Sequence, residues 1–185
     1  MGDDDYRPFR DVAQRNFTQA LFEVPLMVRM LGLPRGKRLL EVGCGRGNAM
    51  SAFNRMLQPR FLVGIDIDRG LLVEADKSAS ARGISADLVQ GDARWMPFRS
   101  AAFDLVIDFG TCYHIARPHL ALTEVQRILS DGGTFAYETP ANQLLSHPMR
   151  SFGRSLPWGA GELLRPHRRR MLWSSRVKVR QAAEH

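Results

Sequence analysis

Arg38-Leu39-Leu40-Glu41-Val42-Gly43-Cys44-Gly45-Arg46-Gly47-Asn48 is the stretch around which the chain is organised. Leu39, Leu40 and Val42 make a short apolar run of the kind that is buried on both faces of a parallel sheet. Three glycines at alternate positions follow, and a turn without side chains lets backbone approach a bound ligand closely. Ala49, Ala52, Phe53, Met56 and Leu57 then recur at helical spacing until Pro59 stops the run. The unit is strand, glycine loop, helix. That is a nucleotide-binding crossover.

The glycine spacing separates the candidate nucleotides. A dinucleotide fingerprint counted from Gly43 and Gly45 needs Gly or Ala at position 48, which is Asn48. A phosphate-binding P-loop needs a Gly-Lys-Ser/Thr ending, which is absent. What stands here is Glu41 at the strand end, then Gly43, Gly45 and Gly47. In this the chain resembles the first motif of the class I S-adenosylmethionine-dependent methyltransferases. The resemblance implies an α/β, doubly wound (Rossmann-like), mostly parallel sheet, with S-adenosylmethionine as cofactor and S-adenosylhomocysteine as product. The chemistry agrees, because this cofactor carries a zwitterionic methionine tail and a cationic sulfonium instead of a pyrophosphate. A carboxylate near the loop and open backbone amides and carbonyls suit such a ligand.

Phe61-Leu62-Val63-Gly64-Ile65-Asp66 reads as the second strand, ending in a carboxylate 19 residues after Gly47. At that separation an acidic residue meets ribose hydroxyls in nucleotide-binding crossovers. Asp68 is placed as the N-cap of a helix over residues 69–81. Residues 86–90 make a short third strand, followed by Gly91-Asp92-Ala93-Arg94-Trp95-Met96-Pro97-Phe98 and then Phe103-Asp104-Leu105-Val106. These runs resemble the methyltransferase type 11 subfamily, which includes quinone-, sterol- and sugar-modifying enzymes. The resemblance implies that Asp92 binds the adenine amino group and that the backbone amide of Ala93 meets a ring nitrogen. It gives Glu41, Gly43, Cys44, Gly45, Asp66, Ile67, Asp92, Ala93 and Asp108 as the cofactor-binding set.

The fourth strand, residues 103–108, ends at Phe109-Gly110-Thr111-Cys112-Tyr113-His114. Relatives that methylate exocyclic amines carry Asn/Asp-Pro-Pro-Tyr/Phe at this point, and Asp108-Phe109-Gly110-Thr111 counts against that chemistry. His114 is the candidate general base, since it follows the strand whose end faces the methyl group in relatives; the alternative is a surface or helix-capping histidine. Its unperturbed pKa near 6.5 suits a proton acceptor at neutral pH. Tyr113 either lines the acceptor pocket or packs. A helix is expected over residues 119–129 with Leu120, Leu122, Val125 and Leu129 inward and Glu124 and Arg127 outward. Ser130-Asp131-Gly132-Gly133 should end it before a fifth strand over residues 134–138.

The resemblance covers residues 38–140, the expected cofactor-binding core. Residues 1–37 read as a helical leader, with apolar positions at helical spacing from Val12 to Leu31, divided by Pro25 and closed by Gly32 and Pro34. Tyr6 or Phe9 could touch ligand from there. Residues 141–185 form a basic C-terminal segment in which only Arg176-Val177-Lys178-Val179-Arg180 alternates like a half-buried strand. The family normally adds a sixth strand and an antiparallel seventh, so a shortened C-terminal strand region is expected.

At 185 residues the chain is long enough for one domain with a sizeable core. Two cysteines exclude a disulfide framework, and Cys44 and Cys112 are read as small packing residues in a reduced, cytoplasmic protein. The histidines lack metal-ligand spacing, so no metal is expected. No apolar run reaches the length of a membrane span. The net charge of +7 is carried by residues 141–185, where nine Lys/Arg face Glu162 and Glu184. That tail is either a solvated segment or a surface for an anionic partner. The leading function is methylation of a small-molecule acceptor at O, N or C. The alternatives are a nucleic-acid methyltransferase that uses the tail, and a non-catalytic S-adenosylmethionine-binding subunit.

Overall fold

The computed structural model describes residues 16, 17, 19–138 and 175–178; for Tyr113, His114 and Ser175–Lys178 the description is of the backbone alone. Among the described residues six strands form one sheet: β1 (Arg38–Val42), β2 (Phe61–Asp66), β3 (Asp87–Gln90), β4 (Phe103–Asp108), β5 (Leu129–Tyr137) and β6 (Ser175–Lys178). Their order is β3-β2-β1-β4-β5-β6. The first five are parallel, and β6 runs antiparallel along β5 with Val177 opposite Phe135. The order reverses between β1 and β4. In doubly wound sheets the crevice at the carboxyl ends of the strands beside such a reversal is where ligands bind.

Helices cover both faces, which is why β1 and β4 read as continuous apolar runs rather than alternating ones. On one face α1 (Val24–Leu31) and α2 (Met50–Leu57) pack Val24, Met27, Met50, Phe53 and Leu57 against Leu39, Leu105 and Ile107. α3 (Arg69–Ala81) adds Leu72 to that layer. On the other face α5 (Pro118–Ile128) packs Ala121, Val125 and Ile128 against Leu40, Val42, Val106 and Phe135. Each fully buried Leu or Phe contributes about 1.5–3 kcal/mol relative to exposure. α4 (Thr111–His114) is a single turn after β4.

Asp68 caps α3 as the sequence predicts, accepting from the Gly70 and Leu71 amides at 2.7 and 3.2 Å. Before α1 the leader is a π-helical turn, Gln19–Glu23, with Pro25 in the first turn of α1 and Gly32 ending it in the left-handed region. The rest of the expected leader, with Tyr6 and Phe9, lies outside the described residues.

Two expectations change around α5. Leu122 is exposed, and Leu129 already belongs to β5. The outward pair Glu124 and Arg127 instead clamps the connection between β3 and β4. Glu124 Oε2 accepts from the Met96 amide at 2.8 Å, and Arg127 donates to the Phe98 and Met96 carbonyls at 2.7 and 3.0 Å. β5 starts five residues early because Phe103 pairs with Leu129 while Leu105 pairs with Thr134, so residues 130–133 bulge out of register. Asp104 fixes that bulge: its Oδ1 takes Ser130 Oγ at 2.9 Å and Arg38 Nη2 at 2.6 Å.

Candidate functional site

The three glycines have three different surroundings. All sit at positive φ (+67°, +51° and +71° for Gly43, Gly45 and Gly47), a region that L side chains rarely adopt. A Cβ on Gly43 would lie 1.8 Å from Thr111 Oγ1 at the start of α4. On Gly47 it would press on Met50 Sδ at 3.1 Å and Ala75 Cβ at 3.2 Å. On Gly45 it would meet nothing within 4 Å. Gly43 and Gly47 therefore let elements close on one another, while Gly45 faces open space at the carboxyl edge of the sheet.

The loop is tied to the end of β2. The Gly43 and Cys44 amides donate to the Ile65 carbonyl at 2.8 and 3.1 Å, and the Gly45 amide donates to Asp66 Oδ2 at 2.8 Å. Gly64 makes room beneath, since a Cβ there would lie 2.7 Å from Cys44 Sγ and 2.5 Å from Met50 Cε. Burial, then the charges of Glu41 and Asp66, push the Cys44 thiol pKa up. Cys112 is raised by burial and by Asp108. Both thiols are kept protonated, and they act as packing groups.

Four carboxylates border this edge with different partners. Glu41 is buried at the end of β1 beneath the glycine loop. Asp66 accepts from Gly45 on one oxygen and from the Asp68 amide on the other at 3.0 Å. Each of its oxygens keeps a second lone pair, enough for two hydroxyl donors. The Gly91 amide donates to the Asp66 carbonyl at 2.9 Å, which sets Asp92 just beyond β3 beside it. Arg94 grips Asp92 with its amide (2.8 Å), its Nε (2.9 Å) and its Nη2 (2.5 Å), and this hydrogen bonding lowers the carboxyl pKa. Asp108, at the end of β4, is almost fully buried and caps α4, accepting from the Thr111 and Cys112 amides at 2.6 and 3.1 Å. Burial pushes its pKa up to about 6 against the lowering effect of those amides.

Ile67, after β2, and Trp95, after Asp92, are largely exposed apolar groups at the same edge. The structure thus gathers Glu41, Gly43, Cys44, Gly45, Asp66 and Ile67 at the β1 and β2 ends, with Asp92 and Ala93 beside them at β3. Asp108 stands apart from these in its role, turned toward α4. His114 is the last residue of that turn, and its side chain lies outside the described set. Among the described residues no group of three or more His, Cys, Asp or Glu could hold a metal ion.

Residues 40–137 match the model of a family described as the methyltransferase domain, type 11. The chain belongs to the class I S-adenosylmethionine-dependent methyltransferases. Among curated members it is 36% identical over 115 residues to a phthiotriol/phenolphthiotriol dimycocerosates methyltransferase 1 of Mycobacterium ulcerans, covering 59% of this chain and 40% of that one. It is also 36% identical over 102 residues to a fatty-acid O-methyltransferase of Mycolicibacterium smegmatis, covering 55% and 36%. The chain thus spans about two fifths of the length of the curated methyltransferases it matches. Among solved structures, a putative methyltransferase of Bacillus halodurans superposes with a TM-score of 0.58 at 25% identity, covering 62% of this chain and 49% of that one.

The residues present fit the methyltransferase cofactor. An open face at Gly45 and a carboxylate at Asp66 with a lone pair left on each oxygen suit a nucleoside with an amino-acid tail, and Asp92 stands beside them in the grip of Arg94. Sequence reading alone does not find Thr111, whose contact with Gly43 seats the loop, or Arg94, whose fork fixes Asp92. The signal for Arg94 is its spacing of two from an acidic residue, which is common on surfaces and carries little meaning by itself.

Proposed function

We propose that this methyltransferase domain binds S-adenosylmethionine along the carboxyl ends of β1, β2 and β3 and methylates a small lipid-class acceptor. The observation that supports this most is Gly45, whose missing side chain opens outward while its amide is held by Asp66. In this reading Glu41 and the loop from Gly43 to Gly45 receive the amino-acid tail, with Cys44 packing beneath. Asp66 takes the ribose hydroxyls, Ile67 covers one side of the base, and Asp92 with the Ala93 amide reads the adenine edge. Arg94 fixes the orientation of Asp92 and lowers its carboxyl pKa. Asp108 shapes the methyl-facing end by fixing α4. Support for the acceptor class comes from the curated relatives, whose names include a fatty-acid O-methyltransferase. Two buried, unpaired cysteines agree with a cytoplasmic setting.

The cofactor supplies an electrophilic methyl group on a sulfonium. The protein's part is to hold the acceptor oxygen in line with it and to keep water out, and orientation alone supplies much of the rate. For a hydroxyl acceptor an imidazole nitrogen of His114 removes the proton as the oxygen attacks, a contribution of about 10²–10⁴ in rate. The test is methyl transfer to fatty-acid and lipid extracts, read as a mass gain of one methylene. On a hydroxyl acceptor His114→Gln should lower turnover by about that factor with unchanged S-adenosylhomocysteine affinity, whereas a fatty-acid carboxylate, already ionised, should be methylated without it. Thermal stabilisation by NAD and none by S-adenosylhomocysteine would overturn the cofactor assignment.

A further inference from the structure

The leader and α2 present a surface that the cofactor site does not use. Phe17, Leu21, Phe22 and Met30 are 59%, 46%, 58% and 53% exposed, and the rings of Phe17 and Phe22 stand 6.4 Å apart. Residues 17, 21 and 22 are one turn apart, and residues 29 and 30 follow Phe22 after two turns of α1, so they share one outward side. The opposite side of the same segment is fully committed, with Val24, Met27 and Val28 buried in the core. Large apolar side chains clustered in this way on a surface mark a contact site.

Among the described residues from 16 to 60 the exposed charges have one sign. Between residues 16 and 60 the only acids are Glu23 and Glu41, and both are buried. Over the same span Arg29, Arg35, Lys37, Arg55 and Arg60 are exposed. Arg29 lies on α1 itself, Arg35 and Lys37 on the turn that follows it, and Arg55 on α2, against which α1 packs. Although residues 1–140 balance to zero overall, this face is locally cationic.

We propose that this face is a docking surface for an anionic lipid bilayer: Phe17, Leu21, Phe22 and Met30 enter the headgroup boundary while Arg29, Arg35, Lys37, Arg55 and Arg60 meet the lipid phosphates. A helix that lies in a membrane interface needs this pairing of an aromatic and aliphatic face with flanking cations and few acids. It needs no membrane-spanning helix, and none is present among the described residues. Docking stands on the leader and α2 alone and does not depend on which acceptor is methylated.

The experiment is co-sedimentation of the full chain with phosphatidylglycerol vesicles and with neutral phosphatidylcholine vesicles, at low and high salt. Binding to the anionic vesicles is expected, weakened by salt. Phe17→Ser with Phe22→Ser should weaken it by about tenfold or more, the loss expected when two buried rings leave an apolar phase. Arg29→Gln with Lys37→Gln should weaken it by about fivefold per cation removed. All four positions are exposed, so the variants should keep the wild-type melting temperature; Met30→Gln serves as a second apolar variant if the Phe pair does not fold. Replacing Arg168, Arg169 and Arg170 by Ala should leave most of the binding in place. Three results would overturn the proposal: no binding to either vesicle, loss of binding only in the Arg168/Arg169/Arg170 variant, or self-association that the Phe variants abolish without any vesicle binding. The last would make the face a contact between copies of the chain.

Discussion

Alanine at Gly43 and alanine at Gly45 are the same chemical change two residues apart, and the structure predicts opposite consequences. At Gly45 the new Cβ meets no atom within 4 Å, so the fold bears only the cost of a left-handed φ of +51°. That cost is about 1–2 kcal/mol, which in a domain of this size lowers the melting temperature by about 2–8 °C. At Gly43 the φ cost is similar, and the Cβ also overlaps Thr111 Oγ1 at 1.8 Å, Cβ at 2.7 Å and Cγ2 at 2.8 Å. Rotating Thr111 relieves the first and last of these but leaves the Cβ clash. α4 must therefore shift, and overpacking of that kind adds about 1–3 kcal/mol. Together the terms give a fall of about 4–20 °C. Ligand response should run the other way. S-adenosylhomocysteine at about one hundred times its Kd stabilises by about 2.7 kcal/mol, a rise of about 5–11 °C. Gly45→Ala should lose that rise, because its methyl occupies the open face. Differential scanning of both variants with and without ligand checks this. If Gly45→Ala keeps the full ligand shift, or Gly43→Ala melts no lower than Gly45→Ala, the division of labour within the loop is wrong.

Arg127→Met should free the Met96 and Phe98 carbonyls from their 3.0 and 2.7 Å bonds and speed amide exchange in the connection between β3 and β4, with about 1–3 kcal/mol lost; unchanged exchange at Met96 would refute the clamp. Asp108 predicts a pH dependence: its folded pKa of about 6 lies above the usual carboxylate value, so its favourable contribution is complete below about pH 4 and is lost as pH rises through about 6. Asp108→Asn should flatten the stability profile in that window and leave the acid limb, where Asp104, held low by Arg38, loses its contribution as pH falls.

The cofactor half of the molecule was legible because its requirements are backbone requirements. β2 and β4 fall on the predicted residues, α3 begins at the predicted cap, and the glycine loop lies where strand and helix patterns meet. Such features depend on which residue types tolerate a φ or terminate a period, and few do. What could not be read depends on distant partners. The spacing of Glu124 and Arg127 says only that they share a helix face; that the face meets Met96 and Phe98 is decided by a loop 28–31 residues away in sequence, which no period encodes. The early start of β5 is similar. Gly132 and Gly133 look like a helix terminator followed by a new strand. Pairing of Leu129 with Phe103 and the anchoring of Ser130 by Asp104 extend the strand backward across them.

Asp108 shows how the same distinction divides the site itself. A carboxylate at the end of β4 in this family reads as a ligand contact, yet both of its oxygens here accept amides of α4, and its burial raises the proton affinity that a cationic ligand nearby would lower. A group in that position holds the turn that ends in His114. Its contribution to the chemistry is then through α4, so loss of the cap should displace the acceptor side while leaving Gly45 and Asp66 untouched. Asp108→Asn separates the two accounts. If S-adenosylhomocysteine affinity falls while the α4 amides stay protected from exchange, Asp108 touches the ligand; if α4 exchanges faster and affinity holds, it acts as the cap that the hydrogen bonds describe.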